Sequence, residues 1–182
     1  LGDSYTCAEG IEPEAAWPKQ LWSLMEGKGV QIDKTHILAR TGWTAEELLT
    51  ALRAASLKPE WDRVTLCIGV NNQYRGLDPA SCRLRLEQLV QEARLLLAEP
   101  PDGLLLLSIP DWGVSPFAKD RDRHAIASEI DAFNAVIRTI ALKTQVPFLD
   151  WTPLTRTFAN QPDAFAPDGL HPSAEQNVAW AH

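Results

Sequence analysis

A serine, an aspartate and a histidine suited to acyl transfer stand at opposite ends of the chain. Ser4 lies in Leu1-Gly2-Asp3-Ser4, and Asp168 and His171 lie in Asp168-Gly169-Leu170-His171-Pro172. A serine hydroxyl is a poor nucleophile near neutral pH. It needs a histidine to take its proton and a carboxylate to hold that histidine in the right tautomer. Gly169 permits a turn and Pro172 suits the first position of a following helix, so one rigid turn is expected to hold both partners of the serine. Taken singly, each piece is ordinary: a serine near a terminus usually closes a turn or caps a helix, and an Asp-Gly pair usually makes a turn. Their joint occurrence carries the reading.

These residues need a scaffold, and short apolar runs alternate with helical patterns along the whole chain. Trp17 to Glu26 has Trp17, Leu21, Leu24 and Met25 at helical spacing and ends in Gly27 and Gly29. Gln31 to Leu38 reads as a weak strand. Thr44 and Glu47 form a capping box ahead of a helix from Ala45 to Ala55. Val64 to Ile68 reads as a buried strand ending at Gly69, and Asp78-Pro79 opens a long helix to Ala98. Gly103 to Ile109 is the most apolar strand. An irregular stretch, Asp111 to Asp120, leads to a helix from Asp122 to Lys143. Val146 to Leu149 is a last strand, Asp150 to Pro167 is loop-rich, and a terminal helix begins at Pro172.

Such alternation predicts an α/β protein with a parallel sheet covered by helices. Sites in open sheets of this kind form beyond the carboxyl ends of the strands. Ser4, Gly69 to Asn72, and Asp111 with Trp112 all fall at such ends, so three segments are expected to converge on one rim. Only one apolar residue precedes the serine motif, and a first strand is expected to have lost its beginning.

At 182 residues the chain suits one domain, and its 45% hydrophobic and 23% charged residues are ordinary globular values. The net charge of −7, from 17 Lys and Arg against 24 Asp and Glu, lacks the basic footprint of a nucleic-acid or anionic-membrane binder. Cys7, Cys67 and Cys82 show no metal-ligand spacing and read as small buried residues. No stretch reads as a signal peptide or an uninterrupted membrane span. Compartment is not written in these residues, with the cytoplasm as the default.

Gly2-Asp3-Ser4, Gly42, Gly69-Val70-Asn71-Asn72 and Asp168-Gly169-Leu170-His171-Pro172-Ser173 together resemble the four sequence blocks of the SGNH, or GDSL-type, esterases and lipases. The blocks span the chain in the right order. The resemblance implies a flavodoxin-like, three-layer α/β/α sandwich with a five-stranded parallel sheet. It also implies Ser4 as nucleophile, His171 as general base and Asp168 as its orienter. The oxyanion hole would draw on the backbone N–H of Ser4 and Gly42 and on the side-chain amide of Asn71. Glycine admits close approach and an amide donates without titrating. Asn72 stands where the family commonly has aspartate, which removes a charge while keeping the shape.

The resemblance implies a serine esterase of carboxylic esters, with a small-molecule substrate and no metal or organic cofactor. The absence of a lid-like apolar insert favours short, acetyl-type acyl groups. Trp43, Tyr74, Trp112 and Phe117 lie beside motif residues and are candidates for lining the substrate pocket, with core packing as the alternative use. Asp120-Arg121-Asp122-Arg123 reads as a solvated helix start with mixed ion pairs, or as a contact for a polar leaving group. His36, His124 and His182 have no motif partner and read as structural. A non-catalytic ligand- or carbohydrate-binding module on the same fold is the main rival, but it would call for a broken constellation. A nucleotide binder would call for a phosphate-cradling glycine loop, and none occurs.

Overall fold

The computed structural model describes residues 1–98 and 103–182. Three parallel strands form the sheet: β1 (Val64–Leu66), β2 (Leu104–Leu107) and β3 (Phe148–Leu149), in the order β1-β2-β3. Val64 pairs with Leu104 and Leu106 with Phe148. Parallel neighbours need a crossover, and helices supply each one.

Among the described residues three strands form in place of the expected five. Gly2 forms isolated parallel bridges to Cys67 on one side and Ala39 on the other, so the chain at both places runs along the sheet without forming a strand. Gln31 to Leu38, read from sequence as a strand, touches the sheet through a single bond in which Gly2 N–H donates to the Leu38 carbonyl at 3.1 Å. The reason is compositional. Gln31, Asp33, Lys34, Thr35 and His36 are exposed, leaving too little apolar surface to hold a ladder at the sheet edge.

The helices follow their sequence signals closely. Residues Ser4–Cys7 form a short helix, α1, capped by Asp3, and Trp17–Gly27 form α2. Ala45–Ala54 form α3, where Thr44 and Glu47 exchange both bonds of the capping box. Val70–Tyr74 form α4, a single turn that the sequence reading missed. Pro79–Arg94 form α5, capped by Asp78 and ending short of Ala98. Arg123–Thr144 form α6, capped by Asp122. Thr152–Arg156 form α7, also missed, inside the stretch read as loop, and Ala174–Ala181 form α8 with Ser173 as its cap. Helix α5 packs against α3 and α6, while α2 packs against α8. Leu48, Leu49, Leu89, Ile109, Ile130 and Phe133 are all fully buried at the centre.

Two buried polar clusters fix the carboxyl end of β2, where Ser108 to Trp112 leave the sheet. Ser108 Oγ accepts from the backbone N–H of Trp151 and Thr152, at 3.0 and 3.1 Å. Asn134, on α6, pairs with both backbone groups of Ile109, accepting at 2.8 Å and donating at 3.1 Å. Further on, Arg156 Nε reaches the buried Asp111 carboxylate at 2.8 Å and its Nη2 reaches Asp131 at 2.8 Å. Partial burial alone would lower the Arg156 pKa, but the bonds to these two carboxylates outweigh it and raise it. Polar groups at a strand end must be paired when buried, and here they clamp the rim segment to α6 and α7.

Candidate active site

Asp168 and His171 meet as the turn predicts. His171 Nδ1 lies 2.6 Å from Asp168 Oδ2, and Asp168 Oδ1 accepts the backbone N–H of Leu170 at 2.8 Å and of His171 at 3.0 Å. The aspartate therefore holds its own turn and the imidazole together. Partial burial would raise its carboxyl, but the hydrogen bonds from His171 and the two amides outweigh that and keep it below the ordinary carboxylate value.

Ser4 is the first residue of α1 and is buried. No hydrogen bond joins its hydroxyl to His171. What links the two chain ends is Tyr5, whose ring centroid lies 5.6 Å from that of His171. Tyr5 also packs on Trp180 at 6.0 Å, Trp180 on Trp151 at 4.7 Å, and Trp151 edge-on to Trp17 at 5.2 Å. This chain of rings ties α1, α2, α7 and α8 behind the imidazole. The sequence reading missed Tyr5, and adjacency to Ser4 was the one available signal.

Gly2 has no room for a side chain, since a Cβ would stand 2.1 Å from Thr6 Oγ1 and 2.8 Å from the Cys67 carbonyl oxygen. That close approach sets Asp3 and Ser4 directly beyond the sheet. Asp3 Oδ1 accepts the Tyr5 N–H at 3.1 Å, while its Oδ2 and the Thr6 hydroxyl are buried without partners among the described residues. Burial pushes the Asp3 carboxyl up to about 7, with the Tyr5 N–H offsetting only part of the effect.

That shift has a testable sign. Between about pH 4, where an ordinary carboxyl ionises, and about 7, folded Asp3 keeps a proton that the unfolded chain has lost. Stability contributed by protonated Asp3 is thus complete below about pH 4 and declines as pH rises to about 7. Asp3→Asn keeps an acceptor for Tyr5 and removes the titration, so the fall in urea midpoint across this window flattens in the variant. An unchanged slope would remove Asp3 as its source.

The middle of the chain supplies the other candidates. Gly42 sits at φ +84°, in the left-handed region, and no atom stands within 4 Å of where its Cβ would be. Among the described residues no protein acceptor takes the backbone N–H of Ser4 or of Gly42. Asn71 Nδ2 donates to the Trp43 carbonyl at 3.0 Å, which leaves its second amide hydrogen for another acceptor. Arg75, one residue beyond α4, donates through Nη2 to the Gly42 carbonyl at 2.7 Å and stands 3.4 Å from Glu47 Oε2. Helix α4 thus grips the Gly42-Trp43 turn at two successive carbonyls. No motif pointed to Arg75.

Asn72 turns away from this turn. It is buried, its Oδ1 accepts the Ala45 N–H at the start of α3 at 2.9 Å, and its Nδ2 reaches Cys82 Sγ at 3.4 Å. Its contribution is to dock α4 on α3.

Three of the four pocket aromatics come together. The Tyr74 and Trp112 centroids are 5.4 Å apart and those of Trp112 and Phe117 are 6.1 Å apart. The buried Trp112 indole donates to Gln73 Oε1 at 2.7 Å, while Tyr74 and Phe117 are exposed. Phe117 N–H donates to the Gly169 carbonyl at 2.9 Å, attaching this cluster to the turn that carries His171. Trp43 stands apart, half-buried against the core.

The ion pairs expected within Asp120 to Arg123 do not form. Asp122 caps α6, and Arg123 reaches the Ser115 carbonyl at 3.2 Å. His36 lies near Trp61, with centroids 6.0 Å apart, and His124 and His182 are exposed. Burial pushes the Cys67 thiol well up and the Cys7 thiol up, which disfavours a reactive thiolate at either position.

Residues 1–178 match the GDSL-like Lipase/Acylhydrolase family. The chain belongs to that family. It is 26% identical over 177 residues to the thioesterase 1/protease 1/lysophospholipase L1 of Escherichia coli K12, covering 96% of this chain and 74% of that protein. Solved structures of GDSL-like hydrolases share its fold. The crystal structure of TesA superposes with a TM-score of 0.74 at 22% identity, over 99% of this chain and 94% of the other. A lipase/acylhydrolase from Enterococcus faecalis gives a TM-score of 0.76 at 20% identity, over 99% and 88%. A variant of the acetyl-xylooligosaccharide esterase Axe2 from Geobacillus gives 0.75 at 21% identity, again over 99% and 88%. A parallel sheet with flanking helices is thus the fold of this GDSL-like hydrolase. No helix among its described residues is long and apolar enough to cross a membrane.

Proposed function

We propose that this GDSL-like hydrolase is a serine esterase that cleaves carboxylic esters through Ser4, His171 and Asp168. The observation that carries the proposal is the 2.6 Å contact between His171 Nδ1 and Asp168 Oδ2, with Tyr5 packed on that imidazole one residue from Ser4. A carboxylate on Nδ1 fixes the tautomer in which Nε2 is free to accept a proton. As Ser4 Oγ attacks the acyl carbon, its proton passes to His171 Nε2 and the carbonyl π electrons move onto oxygen. The N–H groups of Ser4 and Gly42 and the second amide hydrogen of Asn71 are donors suited to that oxyanion. Collapse of the tetrahedral intermediate expels the alcohol, protonated by imidazolium, and leaves an acyl-enzyme. Water then enters by the same route, giving its proton to His171, and the acid departs as Ser4 regains its hydrogen.

In fold terms, we read the Gly2 bridges as reduced places in a five-position sheet. The order is Ala39, Gly2, β1, β2, β3, the flavodoxin-like arrangement of a three-layer sandwich. Short acyl groups, acetyl foremost, are the proposed substrates. The similarity to an acetyl-xylooligosaccharide esterase is compatible with them, and the thioesterase/lysophospholipase relative marks the longer-chain alternative.

The test is turnover of p-nitrophenyl esters from acetate to octanoate, alongside labelling by a fluorophosphonate. Labelling at Ser4 with rates falling as the acyl chain lengthens supports both parts of the proposal. Rates rising toward octanoate would overturn the acyl preference, and an unlabelled, inactive protein would favour a binding module.

Asn71→Ala removes one oxyanion donor and the bond that steadies the Trp43 carbonyl. The expected loss is about 100- to 1000-fold in kcat with KM little changed. A loss confined to KM would move Asn71 from the transition state to ground-state binding.

A further inference from the structure

Arg121 is exposed, yet three aromatic rings surround it. Its guanidinium carbon lies 5.5 Å from the Tyr74 centroid, 5.5 Å from that of Trp112 and 5.3 Å from that of Phe117. Attraction to ring faces orients a guanidinium without using its N–H groups. The one side-chain hydrogen bond Arg121 makes among the described residues is a long 3.4 Å contact from Nη2 to the Tyr74 hydroxyl. No carboxylate among those residues pairs with it, although aspartates flank it on both sides. Asp120 faces Lys119 at 4.0 Å, and Asp122 is taken up capping α6. The result is a preset cation with a planar fork of donors still open.

Its position ties this cation to the proposed chemistry. Tyr74 stands on α4, the same single turn that carries Asn71, and Phe117 is bonded to the Gly169 carbonyl inside the Asp168–His171 turn. The cage therefore touches the two segments that carry Asn71 and His171. The leaving oxygen takes its proton from His171, so the alcohol part of the substrate lies toward the turn to which the cage is fastened.

We infer that Arg121, held by Tyr74, Trp112 and Phe117, forms a subsite for an anionic oxygen group, carboxylate or phosphate, on the alcohol portion of the ester. The inference rests on the esterase reading and adds a substrate class to it. A fork of planar donors matches both groups bidentately, and an arginine already held in place loses little freedom on binding.

Three acetyl esters with the same acyl group test it: 3-acetoxybenzoate, 3-acetoxyphenyl phosphate and the neutral 3-acetoxybenzamide. In the native protein, kcat/KM for at least one anionic ester exceeds that for the amide by about tenfold, the scale of one charge-assisted hydrogen bond at an open site. Which anion gains more names the group. The ratio shrinks in 1 M salt and falls to about one in Arg121→Leu, while Arg121→Lys, lacking the fork, retains only part of it. A ratio near one in the native protein, or one that survives Arg121→Leu, overturns the inference while leaving the esterase intact.

If none of the esters turns over, the esterase reading fails separately, and binding decides the subsite. Phenyl phosphate and benzoate are then titrated against tryptophan fluorescence, since Trp112 lines the cage. A saturable change lost in Arg121→Leu supports the subsite, and its absence or persistence overturns it.

Discussion

Alanine at Ser4 lowers kcat on p-nitrophenyl acetate by about a million-fold, the scale on which loss of a nucleophile collapses a catalytic unit that acts as a whole. The expectation is sharp because the substitution removes so little else. Among the described residues Ser4 Oγ makes no hydrogen bond to protein, so no buried partner there is orphaned when the hydroxyl goes. The N-cap bond from Tyr5 N–H to Asp3 remains, and so does the packing of Tyr5 on His171. Thermal unfolding should therefore stay close to the native midpoint, and KM should change little, since the donors are untouched. Residual turnover of about a thousand-fold over the uncatalysed reaction is still expected from positioning and the oxyanion donors. Retention of even a hundredth of native activity in a folded Ser4→Ala protein, with the fluorophosphonate still attached elsewhere, would mean that another residue is the nucleophile.

Asp168→Asn lowers kcat by about ten-thousand-fold, and the cause is a tautomer. The asparagine can keep its oxygen on the Leu170 and His171 amides, but it then presents NH2 to His171 Nδ1 where a carboxylate stood. An imidazole that accepts at Nδ1 carries its proton on Nε2, which is the wrong edge to receive one from Ser4. Stability carries a second signature. The Asp168 carboxyl is held below its ordinary value, so the stabilisation it contributes is present above the unfolded value and disappears as pH falls through the folded one. Native protein and Asp168→Asn should therefore differ in urea midpoint at neutral pH and converge in acid, once the pH lies below the lowered folded-state value of Asp168. A variant with near-native kcat, or a midpoint difference that persists unchanged in acid, would count against the orienting role.

Much of this molecule is legible in its sequence because the signals are local. Thr44 with Glu47, Asp78 with Pro79, and Asp122 ahead of an apolar stripe each satisfy helix-end amides within a few residues, so α3, α5 and α6 start where the sequence says. The Asp168–His171 contact is local too, with both residues on one turn around Gly169. The short helices α4 and α7 were missed because single turns carry no apolar period to read. The strand expected at Gln31 to Leu38 failed for the opposite reason. The stretch reads only as a weak strand, and the polarity of its residues leaves most of them exposed at the edge.

The alternating α/β class, the family blocks and the residue types available for acyl transfer are each written in neighbours along the chain, and so can be read from it directly. What stands beside what is set by packing. It places Tyr5 on His171, sets Arg75 on the Gly42 carbonyl, turns Asn72 toward α3, and draws Tyr74, Trp112 and Phe117 around Arg121. Most of those contacts join residues far apart in the chain, and they come from helix and strand ends meeting at one sheet rim. No local pattern specifies such a meeting, since it is the shared core that brings those ends together.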